Sequence, residues 1–266
     1  MNYIPRGISF YRMMIIEFSY IITFVFQFFF MEFINYIPII TTLFGLYFFT
    51  VLYSHWKKNK TSTHVLWWMI GVFTYVAGTI TESVNVLAGF SIANFKLWYI
   101  TGALLGGAPL AQGTVYLLCK RKTANILTII LVTGIISASV LVLLSPINSE
   151  LITGRLSGKL LGWKFIRFIT PFINLYAFIF LVGGAIYSAV KYAKNPQFRK
   201  RFTGNLLIAV GGLLPGIGGS FTKFGYVEVL YVTELIGLVF IYLGYKVIRS
   251  DSEASLHSNQ QYQLSV

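Results

Sequence analysis

Apolar residues run along the chain in long continuous stretches, broken by short groups of charged or turn-forming residues. A helix needs roughly 20 mainly apolar residues to cross the hydrocarbon layer of a bilayer. Seven runs approach or exceed that length, at residues 34–56, 65–89, 97–119, 124–144, 166–190, 203–221 and 227–248. Because the runs are continuous rather than alternating, they favour helices over the strands of a membrane barrel. The pattern predicts an all-α, polytopic membrane helix bundle with seven core transmembrane helices.

A further apolar run, Met13–Phe30, follows Arg6 and Arg12 and precedes the first predicted span. A basic segment before an apolar run is typical of a signal sequence, but no small-x-small cleavage site follows this run. Three interpretations stay open: an extra helix, a signal-anchor, or a misassigned start with Met31 as the initiator. The expected division of the chain is an N-terminal segment at 1–33, the bundle at 34–249 and a disordered cytoplasmic tail at 250–266.

The composition supports a membrane location. The chain is 56% hydrophobic and 11% charged, whereas a soluble domain has about 25% charged residues. This excludes a soluble enzyme and a disordered chain, and the single Cys119 excludes a disulfide scaffold. The lipid bilayer is therefore the first expected partner.

The net charge of +13 would be compatible with nucleic-acid binding if the basic residues formed one surface. Instead they lie in short loops at the ends of the spans, thirteen on one side of the core and six on the other. The richer side is expected in the cytoplasm. This predicts a multi-pass inner-membrane protein with the core N-terminus outside, the C-terminus inside and no nucleic-acid partner. Tryptophans near span ends, Trp98 among them, are expected at the membrane interface.

Two ionisable residues lie inside the predicted spans, where burial of a charge is costly and often functional. Glu82 and Glu234 each lie seven residues from the outer end of a span, roughly 10 Å deep. Two carboxylates held close together cannot both ionise cheaply, so the pair could shuttle a proton or bind a cation or amine. The residues expected to complete an outward-facing polar pocket are Thr79, Asn85, Tyr231 and Lys96. The alternative is a purely structural polar cluster without a ligand.

Small residues in two spans predict close helix packing. The pairs concerned are Gly102 with Gly106 and Gly212 with Gly216. A hinge or a backbone-lined binding site, as in the broken helices of transporters, is the alternative interpretation.

No catalytic motif is found. The three histidines lie at span ends or in the tail, and the chain has no GxSxG, P-loop or dinucleotide-binding sequence. No metal site of the usual ligand types and no cofactor is expected, and the sequence favours a non-enzyme.

The segments Leu97–Ala103 and Gln112–Leu118, with the pair 204–219 and 231–244, resemble an uncharacterised group of prokaryotic seven-helix membrane proteins. The resemblance implies the seven-helix fold and no known activity. The layout is also similar to that of rhodopsin-type proteins, but the seventh span has Glu234 in its interior and only Lys246 at its end, which argues against retinal. The layout resembles the sugar-efflux transporters as well, without a convincing repeat.

These observations predict a sensor-like or receptor-like membrane protein with a polar pocket around Glu82 and Glu234. Its expected partners are a small molecule or ion and either a separate signalling chain or further copies of itself. The alternative is a small proton- or cation-coupled transporter or channel that uses the same carboxylates.

Overall fold

The computed structural model describes residues 32–264, and its regular elements over this range are helices, with one isolated bridge between Ile147 and Leu161. The predicted N-terminal helix or signal-anchor at 1–33, and the start at Met31, fall almost wholly outside these residues. The helices are α1 (Ile37–Lys58), α2 (Thr63–Ala88), α3 (Ile92–Trp98), α4 (Ala108–Leu118), α5 (Arg121–Leu144), α6 (Ile166–Ala177), α7 (Gly184–Ala193), α8 (Arg199–Phe221) and α9 (Val227–Leu264).

Six helical segments of the described chain are long and apolar enough to cross a membrane. They are Glu32–Lys58, Thr63–Ala88, Arg121–Leu144, Ile166–Ala193, Pro196–Phe221 and Val227–Asp251. Six of the seven predicted spans coincide with them, because long apolar runs define a membrane helix almost alone. The all-helical, multi-pass character predicted from the sequence is confirmed. α9 also continues to Leu264, where the sequence predicted a disordered tail.

The third predicted span, 97–119, is not one continuous helix. α3 passes into a π-helical turn at Tyr99–Leu104, and α4 begins after a break at 105–107. Pro109 explains the break, because it has no N–H to donate to the carbonyl of Leu105 four residues earlier. The hydroxyl of Thr74 on α2, which donates to the carbonyl of Gly71 at 3.0 Å, also reaches the carbonyl of Leu105 at 3.4 Å. Six continuous apolar helices and one interrupted segment therefore replace seven uniform helices.

Side-chain contacts define two ends of the bundle. At one end Arg121 donates to Thr63 at 3.1 Å, which joins the first turns of α2 and α5. At the other end Asn85 donates to the carbonyl of Gly154 at 3.0 Å, which joins the last turn of α2 to the loop 145–165. We call the first the basic end, since Lys57, Lys58, Lys60, Lys120, Arg121 and Lys122 lie there, and the second the loop end.

Glycines bring the backbones of α8 and α9 together at two levels. A Cβ on Gly211 would lie 2.6 Å from the carbonyl oxygen of Gly237. Seven residues away on each helix, a Cβ on Gly244 would lie 2.5 Å from the carbonyl oxygen of Gly204. These distances leave no room for a side chain, so the glycines set the spacing of the two helices.

The four glycines predicted to pack helices have different surroundings. A Cβ on Gly78 would lie 3.3 Å from the Cα of Gly102, so Gly102 packs against α2. Gly106 lies against the carbonyl oxygen of Gly102, which belongs to the same interrupted segment and not to another helix. A Cβ on Gly212 would lie 3.1 Å from Leu181, whereas one on Gly216 would meet no atom of the described residues within 4 Å.

Candidate functional site

Glu82 of α2 and Glu234 of α9 meet inside the bundle. Their carboxyl groups lie within hydrogen-bonding reach of each other. Glu82 is 2% exposed and Glu234 is partly buried. An ionised carboxylate only accepts hydrogen bonds, so the contact is attractive only when the two groups share a proton.

Two aromatic side chains hold this carboxyl pair in place. The indole Nε1 of Trp98, on α3, donates to Oε1 of Glu82 at 3.0 Å. The hydroxyl of Tyr75, on α2, donates to the backbone carbonyl of Glu234 at 2.9 Å. Oε2 of Glu82 is buried and has no donor among the described residues. The pair is therefore fixed by α2, α3 and α9 together.

A polar pocket of about 300 Å³ lies at the loop end of the bundle, next to the carboxyl pair. Asn85 is three residues from Glu82 on α2, and Tyr231 is three residues from Glu234 on α9. A rise of about 4.5 Å along each helix axis, slightly less than one turn, therefore separates the pair from these two lining residues. The pocket is lined by Glu32, Asn35, Tyr36, Asn85, Val86, Gly154, Arg155, Val227, Glu228 and Tyr231.

The loop 145–165 is tied across this pocket to α2 and α9. Arg155 forms a salt bridge with Glu228 at 3.0 Å and donates to the carbonyl of Gly225 at 2.8 Å. Asn85 uses its amide nitrogen on Gly154, while its oxygen Oδ1 is buried without a donor among the described residues. Sequence reasoning missed Arg155 and Glu228, although both belong to the outer loops of the predicted topology.

The predicted site residues divide into two groups. Asn85 and Tyr231 line the pocket above the carboxyl pair. Thr79 is buried and accepts a hydrogen bond from Thr42 at 2.9 Å, so its hydroxyl links α2 to α1. Lys96 donates to the carbonyl of Leu143 on α5 at 2.7 Å. Trp98, expected at the membrane interface, is 7% exposed and touches Glu82 instead.

A second buried polar group, around Gln112, is fully hydrogen-bonded. Its amide nitrogen donates to the carbonyl of Ala124 at 3.1 Å and to Thr128 at 2.7 Å, and its oxygen accepts from the hydroxyl of Tyr176. These bonds join α4, α5 and α6, as expected of a polar residue that stabilises helix contacts in a membrane. The carboxyl pair differs because Oε2 of Glu82 is buried without a donor among the described residues.

The described residues contain no group of three or more His, Cys, Asp or Glu side chains that could hold a metal ion. A comparison of the chain with family profiles, curated proteins and solved structures finds no match. The resemblance to prokaryotic seven-helix proteins therefore stays a prediction, and the function has to be argued from the geometry of the pocket and the pair.

Proposed function

We propose that this chain is a multi-pass membrane protein of the sensor or receptor class, with its ligand pocket at the loop end. The observation that supports this most strongly is the position of Glu82 and Glu234, one helical turn beneath the pocket and in contact across α2 and α9. A ligand that binds differently to the protonated and ionised pair would shift the equilibrium between these two states. α9 then carries the change to the basic end.

The proposed orientation follows from the distribution of basic residues. Thirteen lie at the basic end of the predicted topology and six at the loop end, which favours a cytoplasmic basic end and an outward-facing pocket in the inner membrane. In this arrangement α3 and α4 together form the seventh crossing. The helical continuation of α9 to Leu264 would lie in the cytoplasm, where a separate signalling partner or a second copy could contact it.

A ligand screen followed by thermal unfolding tests this proposal. The full chain in detergent micelles is heated with a library of small molecules, and a ligand of the pocket should raise the unfolding temperature. The variants Glu82→Gln and Glu234→Gln should lose this shift. Glu150→Gln is the matched control, since Glu150 is exposed in the loop 145–165 and outside the pocket. A shift that persists in both pair variants would contradict the proposal.

A transporter or channel is the second candidate, favoured by the irregular helices in the bundle. The break at 105–107 lies against the helix that passes into the π-helical turn Phe178–Gly183, since a Cβ on Gly107 would lie 3.1 Å from the Cβ of Ala177. Transporter binding sites are commonly built at interrupted helices. Proteoliposomes with an internal pH dye separate the candidates: a transporter should move protons under a cation gradient and stop in Glu82→Gln. Absence of flux in the unmodified protein would contradict this second candidate.

A further inference from the structure

Acidic residues converge at the pocket in a chain that is otherwise strongly basic. The chain has 8 Asp and Glu residues and a net charge of +13. Four of the acidic residues, Glu32, Glu82, Glu228 and Glu234, line the pocket or form the pair beneath it. Arg155 is the basic residue among the described lining residues, and it is paired with Glu228. Since Arg155 balances Glu228, the charge left over among the described lining residues is the negative charge of Glu32, and a net negative cleft concentrates cations.

Two buried acceptor oxygens point to a ligand that donates hydrogen bonds. Oε2 of Glu82 and Oδ1 of Asn85 are both shielded from solvent and have no donor among the described residues. They belong to side chains one turn apart on α2, and Glu82 itself is 2% exposed. Buried acceptors are normally satisfied, and each exception calls for a physical explanation. A ligand with N–H groups would supply the missing donors.

The pocket fits an organic cation better than a bare metal ion. The described residues offer no cluster of three metal-ligating side chains. The rings of Tyr36 and Tyr231 line the pocket, whose volume is about 300 Å³. Aromatic faces attract ammonium groups, and cavities of this size hold small organic ligands. The lining therefore combines acceptors for an ammonium group with surfaces for a hydrocarbon body.

We propose that the ligand is a small primary ammonium ion. Its ammonium group donates towards Asn85 and Glu82, and its hydrocarbon body lies against Tyr36 and Tyr231. A primary ammonium has three N–H donors and no acceptor, which matches a site with surplus acceptors. This assignment rests on the proposed function, because it names the ligand class of the same pocket.

Titration with n-butylammonium chloride tests the assignment on the full chain in detergent micelles. 1-Butanol, which has a similar shape without charge, and NaCl at equal ionic strength are the comparison solutes. We expect a saturable rise in unfolding temperature with butylammonium alone, and an apparent affinity at least tenfold lower in Glu82→Gln. Glu228→Gln, at the pocket rim, gives a second measurement if the buried substitution prevents folding, and it should also weaken binding. Glu150→Gln should leave the titration unchanged.

The outcomes separate this inference from the proposed function. Equal stabilisation by 1-butanol, or an ammonium effect that is unchanged in both Glu82→Gln and Glu228→Gln, would overturn the ammonium assignment. If a neutral or anionic molecule from the screen stabilises the unmodified protein but not Glu82→Gln, the receptor function stands and the ammonium assignment fails. If the pair variants leave every ligand effect unchanged, both fail.

Discussion

Glu82 is buried between three helices, and its hydrogen bonding depends on two named groups. Trp98 donates to Oε1, the carboxyl group of Glu234 lies within hydrogen-bonding reach, and Oε2 is buried with no donor among the described residues. An unsatisfied buried acceptor costs about 1–3 kcal/mol. The indole of Trp98 therefore stabilises Glu82 in its buried position.

The substitution Trp98→Phe tests the role of the indole, because it keeps an aromatic ring and removes the N–H. We expect it to lower the free energy of unfolding by about 1–3 kcal/mol, since Oε1 of Glu82 loses its donor while it stays buried. Denaturant unfolding in mixed micelles, followed by circular dichroism, measures the change. Trp67→Phe is the matched control, because the ring of Trp67 stacks on Tyr116 at the other end of α2. An equal loss in both variants would show that the indole hydrogen bond is unimportant.

α8 and α9 form an antiparallel pair whose spacing is set by glycines facing each other. Pro215 has no N–H for the carbonyl of Gly211 four residues earlier. That carbonyl lies against Gly237, where a Cβ would come within 2.7 Å of its oxygen. A side chain at 237 would push the helices apart, so a glycine at this position accommodates the carbonyl that the proline releases.

The contrast between Gly211 and Gly216 gives a prediction for this helix pair. Gly211→Ala should destabilise the fold by about 1–3 kcal/mol, because its Cβ would collide with the backbone of α9. Gly216→Ala should be neutral, or stabilising by up to about 1 kcal/mol, since alanine favours helix and its Cβ would meet no described atom within 4 Å. Measuring the free energy of unfolding of both variants in mixed micelles tests this prediction. A larger loss in Gly216→Ala than in Gly211→Ala would contradict this helix packing.

Particular residues show how much of the fold and of the candidate site the sequence predicts. The apolar runs predict the six helices that are long and apolar enough to cross a membrane, and Glu82 and Glu234, predicted at a common depth, lie within hydrogen-bonding reach of each other. The sequence also predicts Lys96 near the pair, and here the structure differs. The helix begins at Ile92, where Ser91 accepts a hydrogen bond from the backbone of Asn94, and Lys96 reaches α5.

Other contacts arise from tertiary packing, which hydropathy does not describe. Trp98 lies near a span end, like an interfacial tryptophan, and only the path of α3 turns it towards Glu82. The GxxxG spacing predicts close helix packing at Gly212 and Gly216. The backbones of α8 and α9 instead come together at glycines that are seven residues apart on each helix. These contacts depend on which helices pack against each other. The hydropathy of a single span does not determine that.

At the scale of the whole molecule, the two ends of the bundle should lie on opposite sides of the membrane. The single Cys119 follows α4 at the basic end and is partly exposed, so it is a native reporter of topology. A membrane-impermeant maleimide should label it in inside-out vesicles and not in right-side-out vesicles. The variant Ser149→Cys with Cys119→Ser, which moves the thiol to the loop end, should show the reverse. The opposite labelling pattern would invert the proposed orientation and close the pocket to the outside.

The proposed function depends most on one contact, between the carboxyl groups of Glu82 and Glu234. A double-mutant cycle with Glu82→Gln, Glu234→Gln and the combined variant measures it through the free energy of unfolding in mixed micelles. Groups in contact couple by about 0.5–3 kcal/mol, whereas distant groups add within about 0.3–0.5 kcal/mol. We predict coupling in the first range for this pair, and additivity for the control cycle of Glu82→Gln with Glu150→Gln. Additive effects of the Glu82 and Glu234 substitutions would contradict the central claim.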